Sequence, residues 1–239
     1  MTQQTLASGA LQFNISLSNA QLEMFETYSR ELIAWNQYVN LTRIIEPNEI
    51  TIKHFLDSLS VVQALPKNLP PNFSLIDVGT GAGFPGLPLK IALPNIRLTL
   101  LESVGKKTKF LQHIVDTLQL ENVIVLNARA EEAGRQAAQR EQHDVAVARA
   151  VAALPVLAEY LLPLVKPGGV AIMQKGQEPT DEIKSAANAL GILGGKVKKS
   201  IPVQIDGLEA ARHLTVVKKA KRTPKQYPRR PGLPAKKPI

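Results

Sequence analysis

Residues 75–86 read Leu-Ile-Asp-Val-Gly-Thr-Gly-Ala-Gly-Phe-Pro-Gly, a spacing that suits a nucleotide-binding turn. Leu75, Ile76 and Val78 fit a short buried strand. The glycines behind them fit a tight turn whose backbone takes positive φ and comes close to a ligand. Pro85 and Pro88 suit the first turn of a helix, where a missing N–H costs nothing. Strand, glycine turn and helix N-terminus in succession build a nucleotide site in an open α/β sheet. Two registers fit. Read from Gly79, an acid is followed by G-x-G-x-G, the form in which methyltransferases hold S-adenosylmethionine. Read from Gly81, the same residues give G-x-G-x-x-G, the dinucleotide fingerprint. Both want an acid further along for ribose hydroxyls, and Glu102, 21 residues past Gly81, closes the next apolar run. The motif implies an adenosine-bearing cofactor and leaves open which one.

The elements that must position this turn follow from periodicity. Ser18 with Gln21 forms a possible capping box ahead of a helix carrying Leu22, Phe25, Leu32, Trp35 and Val39 at helical spacing. A second helix is expected over residues 48–65, with Ile52, Phe55, Leu56, Leu59 and Val62 buried. His54, Asp57 and Ser58 share a stripe of it, either solvated or turned towards a cofactor cleft or RNA. After a Pro-rich linker at 66–71, strands alternate with helices: 75–78, 96–102, 123–126, 144–148 and 170–173. A helix is expected to start near an N-capping Thr180, and two last strands lie near 197–203 and 214–217. That alternation means a mostly parallel sheet covered by helices, whose ligands bind at the carboxyl ends of the strands. Gly79, Glu102, Ala130, Glu131 and Arg149 all fall just past strands one to four. Three units are expected: an N-terminal helical extension (1–70), a Rossmann-like domain (71–217) and a basic tail (218–239).

Composition narrows the chemistry. The chain has 239 residues and no cysteine, which excludes disulfides and thiolate metal sites. No apolar run is long enough to span a bilayer, and the first residues lack the order of a signal peptide, so a cytoplasmic protein is expected. Net charge is +9. Nine basic residues and no acid lie in 218–239, so the body is formally neutral and the tail holds the excess. Lys218, Lys219, Lys221, Arg222, Arg229 and Arg230 are therefore candidate RNA-phosphate contacts, with five prolines keeping the segment extended. A solubilising tail is the plainer reading. Lys106 and Lys107 crowd the first turn of a helix, where positive charge opposes the dipole and hints at an anionic partner. His54 is a further RNA-binding candidate. No metal site is expected.

Trp35-Asn36 with Asn40-Leu41-Thr42, residues 54–59 (His-Phe-Leu-Asp-Ser-Leu), the glycine turn, Gly105-Lys106-Lys107, Arg149-Ala150, Lys175-Gly176 and Arg212-His213-Leu214 together form a pattern along nearly the whole chain. On these residues the chain resembles the RsmG (GidB) family of 16S ribosomal RNA guanine-N7 methyltransferases. The resemblance implies a class I S-adenosylmethionine-dependent methyltransferase fold, with a seven-stranded Rossmann-like sheet, helices on both faces and a terminal antiparallel pair. It also implies that Gly79, Gly81, Phe84, Ala130, Glu131 and Arg149 hold S-adenosylmethionine, with Glu102 on the ribose. The implied partner is 16S rRNA or a precursor of the small ribosomal subunit.

The implied reaction needs no catalytic base. N7 of guanine is a bare lone pair, so no proton has to leave it, and the enzyme's work is positioning and exclusion of water. Arg149 reads either as a contact to cofactor or guanine, or as a strand-end arginine paired with an acid. Asp77 reads as a brace for the glycine turn. Two alternatives stand beside this one. An NAD(P)-dependent oxidoreductase would need a proton relay, and His113 and His143 lie on unsuitable elements. A non-catalytic RNA-binding protein of the same fold would bind RNA without transferring a methyl group.

Overall fold

A computed structural model describes residues 2–176 and 179–239. Seven strands lie in the order β3-β2-β1-β4-β5-β7-β6. They are β1 (Ser74–Val78), β2 (Arg97–Glu102), β3 (Val123–Asn127), β4 (His143–Arg149), β5 (Val165–Lys175), β6 (Gly195–Val203) and β7 (Arg212–Lys219). β1 to β5 pair in parallel, and β7 runs antiparallel between β5 and β6. The expected α/β architecture and its terminal antiparallel pair are both present.

Strand alternation sorts the sheet into two apolar faces. Leu75, Val145, Val147, Ile172, Leu214 and Val216 point to one face and join Phe25, Tyr28, Leu32, Phe55 and Leu59 of the N-terminal helices. Ile76, Val78, Ala146, Ala148, Met173 and Val217 point to the other, against helices Leu154–Leu161 and Ala187–Leu193. The N-terminal helices thus supply one wall of the main core. They are α1 (Thr2–Leu11), α2 (Asn19–Asn36) and a continuous helical stretch over residues 47–64. Ser18 caps α2 in the expected box: its hydroxyl accepts from the Gln21 amide, and the Gln21 side chain accepts from the Ser18 amide. α1 lies outside the sequence expectation, because its small residues give only a weak apolar stripe. It buries Leu6 and Ala10 in the main core. The 47–64 stretch is π-helical over Thr51–Leu56, a widened turn of the kind often found at functional sites.

Two local expectations need correction. Thr180 is the first residue of its helix and not its cap, which is Pro179. The nearby Glu182 carboxylate instead accepts from the Leu154 amide at 3.0 Å and pairs with Lys175 at 2.8 Å. β5 begins at Val165 and not at 170 as expected, so Pro167, Gly168 and Gly169 lie within it. A Cβ on Gly169 would sit 2.5 Å from the Asp144 carbonyl oxygen, so only glycine lets the strands close there.

The C-terminal segment departs most from expectation. Proline-rich backbone has carbonyl acceptors but few N–H donors, so it cannot satisfy itself. Arg140 donates to the carbonyls of Thr223, Pro224 and Tyr227, and Arg135 to those of Gln226 and Pro228. Two guanidinium forks thus fasten the segment to the body. Two of its predicted RNA contacts are internal. The Lys219 side chain is fully buried, donating to the Leu162 carbonyl and to Thr223 and lying near Glu141. Burial lowers its pKa to about 8. Arg229 clamps the buried Glu159 carboxylate, with Nη2 to Oε2 at 2.6 Å. Lys218, Lys221, Arg222 and Arg230 remain exposed.

If Arg229 holds structure rather than RNA, Arg229→Ala leaves the Glu159 charge buried without its partner. Chemical denaturation is expected to show a loss on the order of 2–3 kcal/mol, with RNA affinity kept in the folded protein. Unchanged stability with weakened RNA binding would reverse that assignment.

Candidate active site at the strand ends

The glycine turn leaves the end of β1 with Gly79, Gly81 and Gly83 at φ of 67°, 63° and 102°. Two carboxylates hold it. Asp77 Oδ2 accepts from the Thr80 hydroxyl at 2.6 Å and the Gly86 amide at 2.7 Å. Burial pushes the Asp77 carboxyl up to about 6, against the lowering effect of those hydrogen bonds. The expected bracing role of Asp77 is what its geometry provides. Glu102 Oε2 accepts from the Gly81 amide at 3.0 Å, and its Oε1 from the Val104 amide at 2.8 Å. The acid read as a ribose ligand therefore also ties the end of β2 to the turn on β1.

A crevice opens beside this turn, lined by Gly79, Ser103, Ala130, Glu131, Val151 and Tyr160 among others. It brings together Gly79, Ala130 and Glu131 from the sequence reading. A Cβ on Gly79 would stand 2.9 Å from Val151, whereas one on Gly81 would meet nothing within 4 Å. Glycine at 79 keeps the crevice open, and the backbone at 81 is bare to an incoming group. A bare turn flanked by the Glu102 and Glu131 carboxylates fits a hydroxyl-bearing, cationic nucleoside such as S-adenosylmethionine. Glu131 already accepts from the Gly232 amide at 2.8 Å, so the C-terminal segment helps set its position. Lys106 and Lys107 lie in the first turn of helix Gly105–Thr117, just past Glu102 in the chain. Ser103, Val151 and Tyr160 were not singled out from sequence. Tyr160 gave a signal only as a helix-face residue, and Val151 lies in a loop with no pattern.

Phe84 and Arg149 lie apart from that crevice, on the face covered by the N-terminal helices. The Phe84 ring is 5% exposed, stacked on His54 at 4.5 Å and on Tyr28 at 5.5 Å, with the Arg149 guanidinium 5.0 Å away over its face. The Tyr28 hydroxyl donates to the Ala82 carbonyl. These rings press the N-terminal helices onto the glycine turn, and the Phe84 ring is closed to a ligand.

Arg149 ends β4 and Arg212 begins β7. Because β7 is antiparallel, both lie at the same end of the sheet. They converge on Asp57: Arg149 Nη1 to Oδ2 at 2.7 Å and Arg212 Nε to Oδ1 at 3.1 Å. Arg149 also donates to the Lys53 carbonyl at 3.2 Å, and Gln174 of β5 donates to the Asp57 carbonyl at 2.9 Å. The stripe of His54, Asp57 and Ser58 therefore faces the strand ends and not solvent. Arg149 proves to be a paired arginine, although its acid lies 92 residues away. His54, the RNA-binding candidate on that stripe, is half-buried and stacks on Phe84. Burial, and then Arg149, lower its pKa to about 4, so it is neutral at pH 7 and offers no charge to phosphate. Its Nε2 lies 2.8 Å from the Thr42 hydroxyl. Gln174 and Tyr28 were not read from sequence and Arg212 only as part of the resemblance, because no local spacing links them to Asp57 or the turn.

Among the described residues, no cluster of His, Cys, Asp or Glu could hold a metal ion, and no helix is long and apolar enough to cross a membrane.

Comparison with known proteins agrees with this geometry. The profile of the GidB family, described as rRNA small subunit methyltransferase G, matches residues 21–215. A Ribosomal RNA small subunit methyltransferase G of Alkaliphilus metalliredigens is 46% identical over 234 residues, covering 98% of this chain and 97% of that protein. One of Roseiflexus castenholzii is 51% identical over 230 residues, covering 96% and 97%. Among solved structures, a single-residue mutant of the 16S rRNA (adenine(1408)-N(1))-methyltransferase from Catenulisporales acidiphilia is similar in fold. It has a TM-score of 0.53 and 15% identity, over 65% of this chain and 94% of that one.

The neutral His54 generates a pH prediction. An unfolded chain protonates this histidine below pH 6.5, whereas the folded one resists until about 4. Its contribution to stability is therefore complete above 6.5 and lost as pH falls from 6.5 towards 4. His54→Phe keeps the stack on Phe84 and should make stability fall less steeply across that window, as read by denaturation at successive pH values. An unchanged slope would mean that His54 is not the group responsible.

Proposed function

Because the chain belongs to the rRNA small subunit methyltransferase G family, we propose that it methylates N7 of a guanine in 16S rRNA, in the cytoplasm, using S-adenosylmethionine. Family membership selects the methyltransferase register of the glycine turn over the dinucleotide one. The observation that carries the proposal is the open turn at Gly79–Gly81, held by Asp77 and Glu102 and flanked by Ala130 and Glu131.

When bound, S-adenosylmethionine supplies a methyl group already activated on a sulfonium. The residues that would hold it are Gly79, Gly81, Ala130 and Glu131, with Glu102 on the ribose. Phe84 and Arg149 would act from beneath: Phe84 sets the backbone of the turn, and Arg149 joins that turn to the N-terminal helices. The chain needs no proton acceptor for N7, and its nearby titratable groups match that. Asp57 is occupied by two arginines, and His54 is buried against Phe84.

Electrostatics points the same way. Positive charge passes from sulfur to the purine during transfer, so an unpaired cation beside the path would oppose it. Asp57 shares its single negative charge between Arg149 and Arg212, the Glu102 and Glu131 carboxylates flank the turn, and His54 stays uncharged. The chain's own residues thus hold the donor and the purine while one positive charge passes between them.

The direct test uses small-subunit RNA from cells lacking this protein, incubated with the full chain and methyl-labelled S-adenosylmethionine. Label should enter at one guanine, which becomes sensitive to the reduction and strand scission specific to N7-methylguanine. Label on another atom, or none, would overturn the proposal.

A further inference from the structure

At the opposite end of the sheet from the crevice, β6 and β7 carry a basic groove that the reaction does not use. It is lined by Gly168, Lys196, Lys198, Lys218 and Ala220. Lys196 and Lys218 are Cα partners across the antiparallel ladder, both exposed, with Lys198 at the bulge that follows Val197. Like charges directly opposite each other in such a pair are destabilising. Neither they nor Lys198 has an acid partner among the described residues. Their neighbours differ: Lys166 is paired with Asp144, and Lys219 turns inward to Glu141.

Lysines on an edge strand commonly prevent sheets from pairing edge to edge. That accounts for Lys198 on β6, the outermost strand. It does not account for Lys218, because β7 lies inside the sheet between β5 and β6. The Lys196–Lys218 pair, with one member on the inner strand β7, costs stability unless a polyanion neutralises it. Lys221 extends the same charge just beyond the end of β7. The groove and the strand ends lie at the two ends of β5: Lys218 pairs with Val170 and Leu214 with Gln174, four residues further along, about 13 Å at the usual strand rise, and the crevice lies beyond, across β4 and β1.

Building on the rRNA substrate proposed above, we infer that this groove grips the phosphodiester backbone of the substrate RNA away from the target guanine. The enzyme then holds its substrate at two points, one on each end of the sheet. Phosphates are the matching chemistry: opposed lysines straddle a single anionic strand, and release of counterions drives its binding. Base recognition is not expected there, since no aromatic side chain lines the groove.

The test is the full-chain triple variant Lys196→Gln, Lys198→Gln, Lys218→Gln, with Lys184→Gln, Lys236→Gln, Lys237→Gln as a matched loss of exposed charge elsewhere. Methyl transfer to small-subunit RNA is measured across salt concentrations, alongside calorimetric binding of S-adenosylmethionine. The groove variant should raise KM for RNA by about tenfold or more and lower the steepness of its salt dependence by about two phosphate contacts. Its kcat and donor affinity should stay within about twofold, and the control variant should match the wild type. An unchanged KM and salt slope, or an equal effect in the control, would overturn the groove assignment while leaving the methyltransferase reading intact. Failure of the wild-type protein to methylate the RNA would instead remove the reading on which the groove rests.

Discussion

A single buried carboxylate, Asp57, sets the arrangement of everything around the glycine turn. It comes from the N-terminal helices and is shared by arginines at the end of β4 and the start of β7. Two cations and one anion taken out of water must stay together, because removing either side leaves an uncompensated charge. The helices therefore cannot lift from the sheet without breaking that cluster. Their registration fixes the ring stack of Tyr28, His54, Phe55 and Phe84, which rests against the glycine turn. The turn in turn depends on Asp77 and Glu102 from within the sheet. The glycine turn is thus held on one side by the N-terminal helices, through Phe84, and from within the sheet by Asp77 and Glu102, while the crevice opens beside it.

Much of this was legible in the sequence, and the limits have physical causes. The glycine turn, the strands and the acid at 102 are local signals, each written in a few consecutive residues. Their convergence follows from one rule about parallel sheets. The capping box at Ser18 was equally local. The Asp57 cluster could not be read in the same way, since its partners lie 92 and 155 residues away. Only a helix stripe of His54, Asp57 and Ser58 hinted at it, and a stripe does not say what it faces. The π-helical turn at Thr51–Leu56 altered that stripe as well. Phe84 was identified by resemblance, and its ring is buried in the stack against Tyr28 and His54.

The basic C-terminal segment shows why charge alone is a weak guide. Counting cations treats every lysine and arginine in 218–239 as equivalent and solvent-facing. Folded, the segment divides. Lys219 and Arg229 point inward to carboxylates and carbonyls, Arg135 and Arg140 of the body satisfy the proline-rich backbone, and Lys218 joins lysines of β6 that no terminal count would include. Exposed positive charge is arranged by the sheet and not by the order of the chain. The same segment reaches the crevice through Gly232 and Glu131, so the C-terminus contributes to the site it follows.

The most direct test is a double-mutant cycle on Asp57→Ala and Arg149→Ala, measured as kcat/KM for methyl transfer in parallel with unfolding free energy. If the pair joins helices and sheet into one site, the two losses will be strongly non-additive, with a coupling of about 1.5 kcal/mol or more in both measurements. Additive losses, each mutation costing the same whether or not the other residue is present, would show that the helices and the strand ends work independently and would contradict the account.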